Sequence, residues 1–212
     1  MPSAAKTAFS HALNDVDNLL WFHAKEGGDG KGKRGAHFES LNKSAVVLLC
    51  AAWETYLETV IVECVERNVD AAASPTSMLH SLQKITQSHI RDGKEENAWV
   101  SVAGDGWRQL TKSLVKNRVA ALNTPKPGPV KELAKAVLGI KDITDNWEWH
   151  RNELGVPSNN LQAFVTLRGS IAHGERLTKT VTKAKVKNGY ELVSRLVNCV
   201  EEKLINEGFL AI

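Results

Sequence analysis

Apolar residues recur along most of the chain at the three- and four-residue spacing of an amphipathic helix. The longest such pattern covers residues 38–69 and is apolar around most of its circumference, which predicts a helix at the centre of a bundle. Further helical patterns cover residues 4–25, 107–122, 130–138, 158–173 and 183–206. No alternating strand pattern persists. The sequence therefore predicts an all-α bundle, with four to five core helices and short connector helices, as a single domain over residues 1–212.

The connections between these patterns carry residues that end or begin helices. Residues 27–35 hold five glycines and four charged residues, which predicts a flexible loop. Three prolines within residues 123–129 break the preceding helix. Ser158 or Asn159 is the expected N-cap of the penultimate helix, and Thr182 that of the last. Residues 71–100 give a weaker pattern, with a helix start indicated at Ser74-Pro75.

The central helical pattern contains one carboxylate that its apolar stripe does not explain. Glu54 lies beside Trp53, so we expect it to be partly buried, and a partly buried carboxylate needs a partner. Arg168 is one candidate, while a position on the solvated edge of the stripe fits the spacing equally well. The stripe itself consists of Val46, Leu49, Trp53, Leu57, Val60 and Cys64, widened by Val47, Ala51, Ile61 and Val65.

Composition narrows the class of protein without identifying a partner. A net charge of +3 is mildly basic and compatible with RNA as a ligand. Cys50, Cys64 and Cys199 lie far apart in apolar helical contexts, which predicts buried free thiols in a reducing cytosol. We expect no signal peptide, and the longest apolar run, residues 45–53, is too short to span a membrane. The spacing of histidines and cysteines predicts no metal site and no cofactor.

The candidate chemistry is concentrated at Arg168 and His173, which lie five positions apart just before Gly174. An arginine can bind phosphate oxygens through two parallel hydrogen bonds, and a histidine can exchange a proton near neutral pH. A basic residue in a last helical turn followed by glycine is also an ordinary helix stop. The two side chains point about 140° apart on a helix, so they can converge only on a groove that wraps the helix end. Such a groove suits a site completed by a second copy of the chain.

Two further groups of residues leave both a structural and a functional interpretation open. A basic run follows His173, opposed only by Glu175, and fits either a solvated face or a polyanion track. Its members are Arg176, Lys179, Lys183, Lys185 and Lys187. Trp147 and Trp149 could stack on bases, but tryptophans in such a setting more often wedge a loop onto a bundle, so packing is the expectation.

Three segments in order resemble the HEPN superfamily, in particular its RiboL-PSP-HEPN type. They are residues 48–58, residues 122–125 with 138–144, and residues 167–174, which together span about residues 40–205. The last of them carries the arginine and histidine of the superfamily, separated by four residues, on the penultimate helix of an all-α bundle.

The resemblance implies a metal-independent endoribonuclease that acts as a homodimer, in a toxin or antiphage defence setting with a possible antitoxin or defence-system partner. It implies that Arg168 binds the scissile phosphate and that His173 acts as general acid/base while the ribose 2′-hydroxyl attacks, leaving a cyclic phosphate. Glu54 matches an acidic position in the family's long helix that would orient Arg168 or His173, with Gly169 and Ser170 as supporting residues.

One departure from the family leaves a second function open. Many HEPN nucleases carry Asn, Asp or His directly after the arginine, whereas this chain has Gly169, which removes a polar side chain from the site. Some HEPN domains are non-catalytic, so the alternative is a helical module that binds RNA or protein without cutting.

Overall fold

A computed structural model describes residues 2–27, 36–93, 100–149 and 155–211 of the chain. These residues form seven α-helices: α1 (Ala4–Gly27), α2 (Ala36–Ala71), α3 (His80–Asp92), α4 (Gly106–Val119), α5 (Pro127–Leu138), α6 (Val156–Ala172) and α7 (Lys183–Asn206). None of the described residues forms a β-strand, so the predicted all-α class is confirmed. Of the predicted loop 27–35, Gly27 is the last residue of α1 and residues 28–35 lie outside the described ranges.

Helix α2 is the centre of the bundle, as its all-round apolar pattern predicts. It packs against α1, α4, α5, α6 and α7. Its predicted stripe is buried from Val46 through Cys64. By length and composition alone α2 could also cross a membrane, but 56% of its most apolar window is buried inside the bundle, which accounts for its hydropathy.

The predicted widening of that stripe is only partly right. Ile61 and Val65 are buried and Val47 is half-buried, but Ala51 is exposed. Including Ala51 in the buried face was wrong because the strip of α2 between α1 and α6 is left open to solvent, where Leu48 is also 37% exposed.

The direction of the helices follows from hydrogen bonds at the two ends of the bundle. At one end the Ser3 hydroxyl and backbone N–H donate to the carboxylate of Glu201 near the end of α7. At the other end the Tyr190 hydroxyl donates to Asp17 Oδ2 over 3.3 Å. Helix α1 therefore runs antiparallel to α7.

Aromatic packing holds the connections onto α2. Trp147 is fully buried and meets Trp53 edge-to-face, with ring centroids 6.1 Å apart. The Trp53 indole N–H donates to the carbonyl of Pro125 over 3.0 Å, which fixes the proline-rich connection before α5. The packing role predicted for Trp147 is confirmed, and Trp149 is half-buried beneath the Arg195 guanidinium, 5.6 Å from its ring centroid.

Helix starts were predicted less well than helix bodies. Helix α6 begins at Val156, with Gly155 as its N-cap, so the assignment of Ser158 or Asn159 was wrong. The reason is Pro157, since proline in the first turn has the backbone angle of a helix and loses no hydrogen bond there. Similarly, Ser74-Pro75 opens a short 3₁₀ turn at Pro75–Ser77, and α3 starts only at His80. The predicted Thr182 cap of α7 is confirmed, because its hydroxyl accepts the Lys185 N–H over 3.3 Å.

Candidate functional site

Helix α6 directs Arg168 towards α2. Leu161, Phe164 and Val165 bury one side of α6, and Arg168 follows one turn later on the same side. Its Nη2 atom lies 3.8 Å from Oε2 of Glu54, and the two side chains are 36% and 20% exposed. The structure thus brings together the half-buried carboxylate and the arginine that the sequence offered as its partner.

The Arg168–Glu54 contact is an ion pair of long geometry. Charge-assisted hydrogen bonds between guanidinium and carboxylate are shorter, at about 2.7–2.9 Å. At 3.8 Å, Glu54 attracts and orients Arg168 without engaging its N–H groups in a close hydrogen bond. The planar fork of Arg168 therefore remains able to donate to two oxygens of another anion.

Two more ionisable groups on α2, Cys50 and Glu58, interact with Arg168 or with its partner Glu54. Burial raises the pKa of the Cys50 thiol to about 12, while Arg168 lowers it and Glu54 raises it by smaller amounts. Burial, and next the charge of Glu54, raise the pKa of Glu58, one turn further along α2. At neutral pH the Cys50 thiol is therefore protonated, so it is a packing group and no nucleophile.

His173 is the C-cap of α6, and its side chain is exposed. The Gly174 N–H donates to the carbonyl of Ile171 over 3.2 Å, and the Glu175 N–H donates to that of Ser170 over 2.9 Å. With Gly174 at φ 66°, these bonds form a Schellman motif. The helix-stop interpretation is thus correct for the backbone. The imidazole makes no hydrogen bond or ion pair with the described side chains.

Four residues separate Arg168 from His173 on α6, and three of them, Gly169, Ser170 and Ala172, are small. Ideal helix geometry puts their Cα atoms roughly 9 Å apart with side chains about 140° apart. Gly169 lies one turn before His173, and a Cβ atom added there would meet nothing within 4 Å. Ser170 is half-buried and contributes its carbonyl to the helix cap. A single copy of the chain therefore presents two separated groups with an open surface between them.

The basic run divides between two sides of α7. Lys185 faces α6, in a groove of about 280 Å³ that Phe164 and Asn188 also line. Lys183 and Lys187 lie on the side of Tyr190, which faces α1. Arg176 and Lys179 are exposed in the connection between α6 and α7. The run is therefore a belt around this end of the bundle, and not one flat surface.

Sequence reasoning missed an exposed aromatic pair on α1. Trp21 and Phe22 are 55% and 51% exposed, although both are large apolar residues. The apolar stripe of α1, from Phe9 through Leu13 to Val16, is buried, and Trp21 and Phe22 are out of phase with it. This difference in helical phase could have predicted from the sequence that both side chains are exposed. Across the described ranges, no group of three or more His, Cys, Asp or Glu side chains could hold a metal ion.

Comparison with known proteins identifies the family. A family model described as RiboL-PSP-HEPN matches residues 11–206. No curated protein and no solved structure matches the chain. Because the family match covers most of the 212 residues, the chain belongs to the RiboL-PSP-HEPN family, a HEPN-type group of nuclease and RNA-binding modules.

Proposed function

We propose that the protein is a metal-independent endoribonuclease whose catalytic residues are Arg168 and His173. The observation that carries this proposal is the state of Arg168. It is oriented by Glu54 at 3.8 Å, it is one-third exposed, and its donors are not engaged in a short hydrogen bond. An exposed imidazole lies five residues further along the same helix. The family match supports the coarser assignment, a HEPN-type nuclease or RNA-binding module.

In the proposed reaction the ribose 2′-oxygen attacks the neighbouring phosphorus. The bond from phosphorus to the 5′-oxygen breaks, and the products are a 2′,3′-cyclic phosphate and a 5′-hydroxyl end. His173 takes the proton from the 2′-hydroxyl as general base, and its imidazolium returns that proton to the leaving 5′-oxygen as general acid. Arg168 neutralises the phosphate and holds it in line for attack. DNA lacks the 2′-hydroxyl and should not be cut.

The separation of the two groups supports a homodimer. In one copy Arg168 and His173 diverge by about 140°, so one phosphate cannot easily contact both. The open strip of α2, with Leu48 and Ala51 exposed, begins beside Glu54 and leads towards α1. We assign this strip as the surface that a second copy covers, which would set the groups of two chains side by side. Light scattering should give about twice 23.3 kDa, and Leu48→Glu should give a monomer that no longer cleaves RNA.

The decisive experiment compares cleavage of one labelled RNA by four proteins in the presence of EDTA. We expect the wild type to cleave the RNA and leave cyclic-phosphate ends. It should not cleave an all-deoxy oligonucleotide of the same sequence. His173→Ala should be inactive, whereas His11→Ala, which changes another exposed histidine, should behave as wild type. Arg168→Lys keeps the charge but loses the planar fork, so we expect cleavage at least about tenfold slower.

Two results would overturn the proposal. Loss of all cleavage with EDTA, restored by Mg²⁺ or Mn²⁺, would exclude the metal-independent mechanism. Full activity in His173→Ala would show that His173 is not the general acid/base.

A second candidate function is an RNA-binding or protein-interaction module that does not cut. The observation in its favour is Gly169, where the site lacks a side chain and the space beside it is empty. If this candidate is right, purified wild type will bind RNA and leave every strand intact over hours, and Arg168→Ala will weaken the binding.

The proposed biological setting is that of a toxin or antiphage effector, with an antitoxin or defence-system partner that restrains it. Expression of the wild type should then slow the growth of cells, and His173→Ala should relieve the effect at equal protein levels. Harmless expression of an enzyme that is active in vitro would count against this setting, while leaving the chemistry intact.

A further inference from the structure

We infer that Trp21 and the lysines around it form a stacking site for the bases of single-stranded RNA, separate from Arg168 and His173. This inference rests on the proposed function in one respect, namely that RNA is the ligand. It adds a binding site at the end of the bundle where α1 meets the start of α7.

Trp21 has the exposure and the neighbours that base stacking requires. Its side chain is 55% exposed, and the Phe22 ring meets it edge-to-face at 5.0 Å between centroids. The Lys25 ammonium lies 4.8 Å from the centre of the Trp21 ring. Phe22 and Lys25 both contact the indole, which favours one orientation of its ring. A base stacked on the exposed indole surface would bring its phosphate within reach of Lys25.

The alignment of α1 with α7 adds two more lysines to this site. The Tyr190–Asp17 hydrogen bond of 3.3 Å sets the register between the two antiparallel helices. Trp21 and Lys25 follow Asp17 by one and two turns on the same face of α1, at steps of about 6 Å. Lys187 and Lys183 precede Tyr190 by one and two turns on the facing side of α7.

This register puts Trp21 at the level of Lys187, and Lys25 at the level of Lys183, along the two helices. The acidic residue within these two columns, Asp17, accepts a hydrogen bond from Tyr190. The three lysines form no ion pair with described side chains. The site is an aromatic ring between cations, which is the composition of surfaces that bind single-stranded nucleic acid.

This aromatic site is continuous with the candidate catalytic groups. The Asn42 side chain donates to the carbonyl of Val181 over 2.9 Å, which ties the connection between α6 and α7 to the start of α2. His173 ends α6 at this same end of the bundle, and the exposed Arg176 and Lys179 follow it along the connection. A strand that passes His173 can thus follow cations to Lys183 and then reach Trp21.

The charges favour RNA over a protein as the occupant. A protein partner that covered Trp21 and Phe22 would also have to desolvate or neutralise three lysines, which disfavours a purely apolar contact. A phosphate backbone gains from each lysine, and an unpaired base gains from the indole. Bases in a duplex are already stacked on each other, so a stacking site should distinguish single strands from duplexes.

The test measures binding of a fluorescein-labelled 12-mer RNA with 2′-O-methyl groups throughout, which cannot be cleaved, to the full-length protein. Stacking is worth about 1–3 kcal/mol per base, so Trp21→Ala should weaken single-strand binding roughly 5- to 150-fold. Trp21→Tyr should retain most of the affinity because it keeps an aromatic face. Binding of the same sequence as a duplex should change less than about twofold, since its bases are not available to stack.

Matched controls separate stacking from charge and from general surface effects. Val100→Ala truncates another apolar side chain that is 51% exposed, and it should leave the affinity unchanged. Lys183→Gln with Lys187→Gln should weaken single-strand and duplex binding alike and reduce the salt dependence. Lys141→Gln, an exposed lysine beyond the end of α5, should not do so.

The outcomes for this site and for catalysis can be told apart. Cleavage by the wild type together with unchanged single-strand affinity in Trp21→Ala would overturn the stacking site and leave the nuclease intact. If binding depends on Trp21 but the wild type cleaves no RNA, the stacking site is supported and the proposed nuclease activity is refuted. If Trp21→Ala instead converts a dimer to a monomer in light scattering, the surface is a contact between copies and the inference is wrong.

Discussion

A glycine on α7 controls how closely α6, the helix that carries Arg168, can approach. Gly189 is buried in the interior of α7, where it faces the ring of Phe164. A Cβ atom added at Gly189 would lie 2.7 Å from Cζ of Phe164, and closer still to its Cε2 atom. Phe164 is only 6% exposed, and its ring can move away only towards the groove of about 280 Å³ that it lines. Gly189→Ala must therefore push α6 and α7 apart or force the ring from its rotamer.

The expected loss of stability follows from two opposing effects. Alanine gains about 1 kcal/mol over glycine in a helix interior, because glycine loses more backbone entropy on folding. Overpacking of a tight core contact costs about 1–3 kcal/mol. We expect Gly189→Ala to be destabilised by about 1 kcal/mol, which for a chain of this size lowers the Tm by about 2–4 °C. RNA cleavage should fall as well, because Phe164 lies one turn before Arg168 on α6.

The assay is thermal unfolding by circular dichroism, with Gly169→Ala as the matched control. Gly169 is also inside a helix, but an added Cβ there meets nothing within 4 Å. Gly169→Ala should therefore gain about 0.5–1 kcal/mol and raise the Tm. Phe164→Leu should recover part of the loss when combined with Gly189→Ala. If Gly189→Ala raises the Tm as much as Gly169→Ala does, the close contact does not limit the packing of α6 and this reasoning fails.

Three more predictions concern α6 and the central helix α2. Gly169→Asn places a polar side chain in the open space, and we expect several-fold faster cleavage; no change would show that this position does not limit the rate. Glu58 has a raised pKa, so its charge costs stability above that pKa. Glu58→Gln should stabilise at pH 7 by up to about 0.5 kcal/mol, with the gain disappearing in melts below about pH 4. Cys50 and Cys64, both with pKa about 12, should resist a thiol reagent at pH 8 until the protein unfolds; rapid native labelling would contradict their burial.

Helix bodies could be predicted from sequence because burial imposes a period on them. Helix α2 shows this most clearly, since its apolar residues fill most of its circumference and it packs against five other helices. The position at which a helix starts depends instead on single residues, and several neighbouring residues can each serve as the N-cap or first helical residue. At α6, Pro157 with Gly155 opens the helix two residues before Ser158 can cap it. The apolar periodicity does not show which of several possible N-cap residues is used, so the predicted start of α6 was wrong.

Parts of the candidate site could be predicted where a single residue requires a partner. Features that depend on how the helices pack together could not be predicted. Glu54 interrupts an apolar stripe and requires a partner, and this need pointed to Arg168. The exposure of Ala51 could not be foreseen, because it depends on how far apart α1 and α6 settle on α2. The level of Trp21 relative to the lysines of α7 likewise depends on the register between two helices that are distant in sequence.

The helix stop at Gly174 and the catalytic role proposed for His173 make separate demands on the sequence. The Schellman motif requires a residue at positive φ, which Gly174 supplies at 66°. Residue 173 has φ −84° and ψ 1°, the conformation of the third residue of a type I turn, which most residues can adopt, and its exposed side chain contributes no core packing. Similarly, the half-buried pair of Arg168 and Glu54 is a weak source of stability, since apolar residues of similar volume often serve as well. The fold explains Gly174 and, through the carboxylate of Glu54, a cation at 168. It gives no reason for an imidazole at 173, and the proposed phosphate chemistry supplies one.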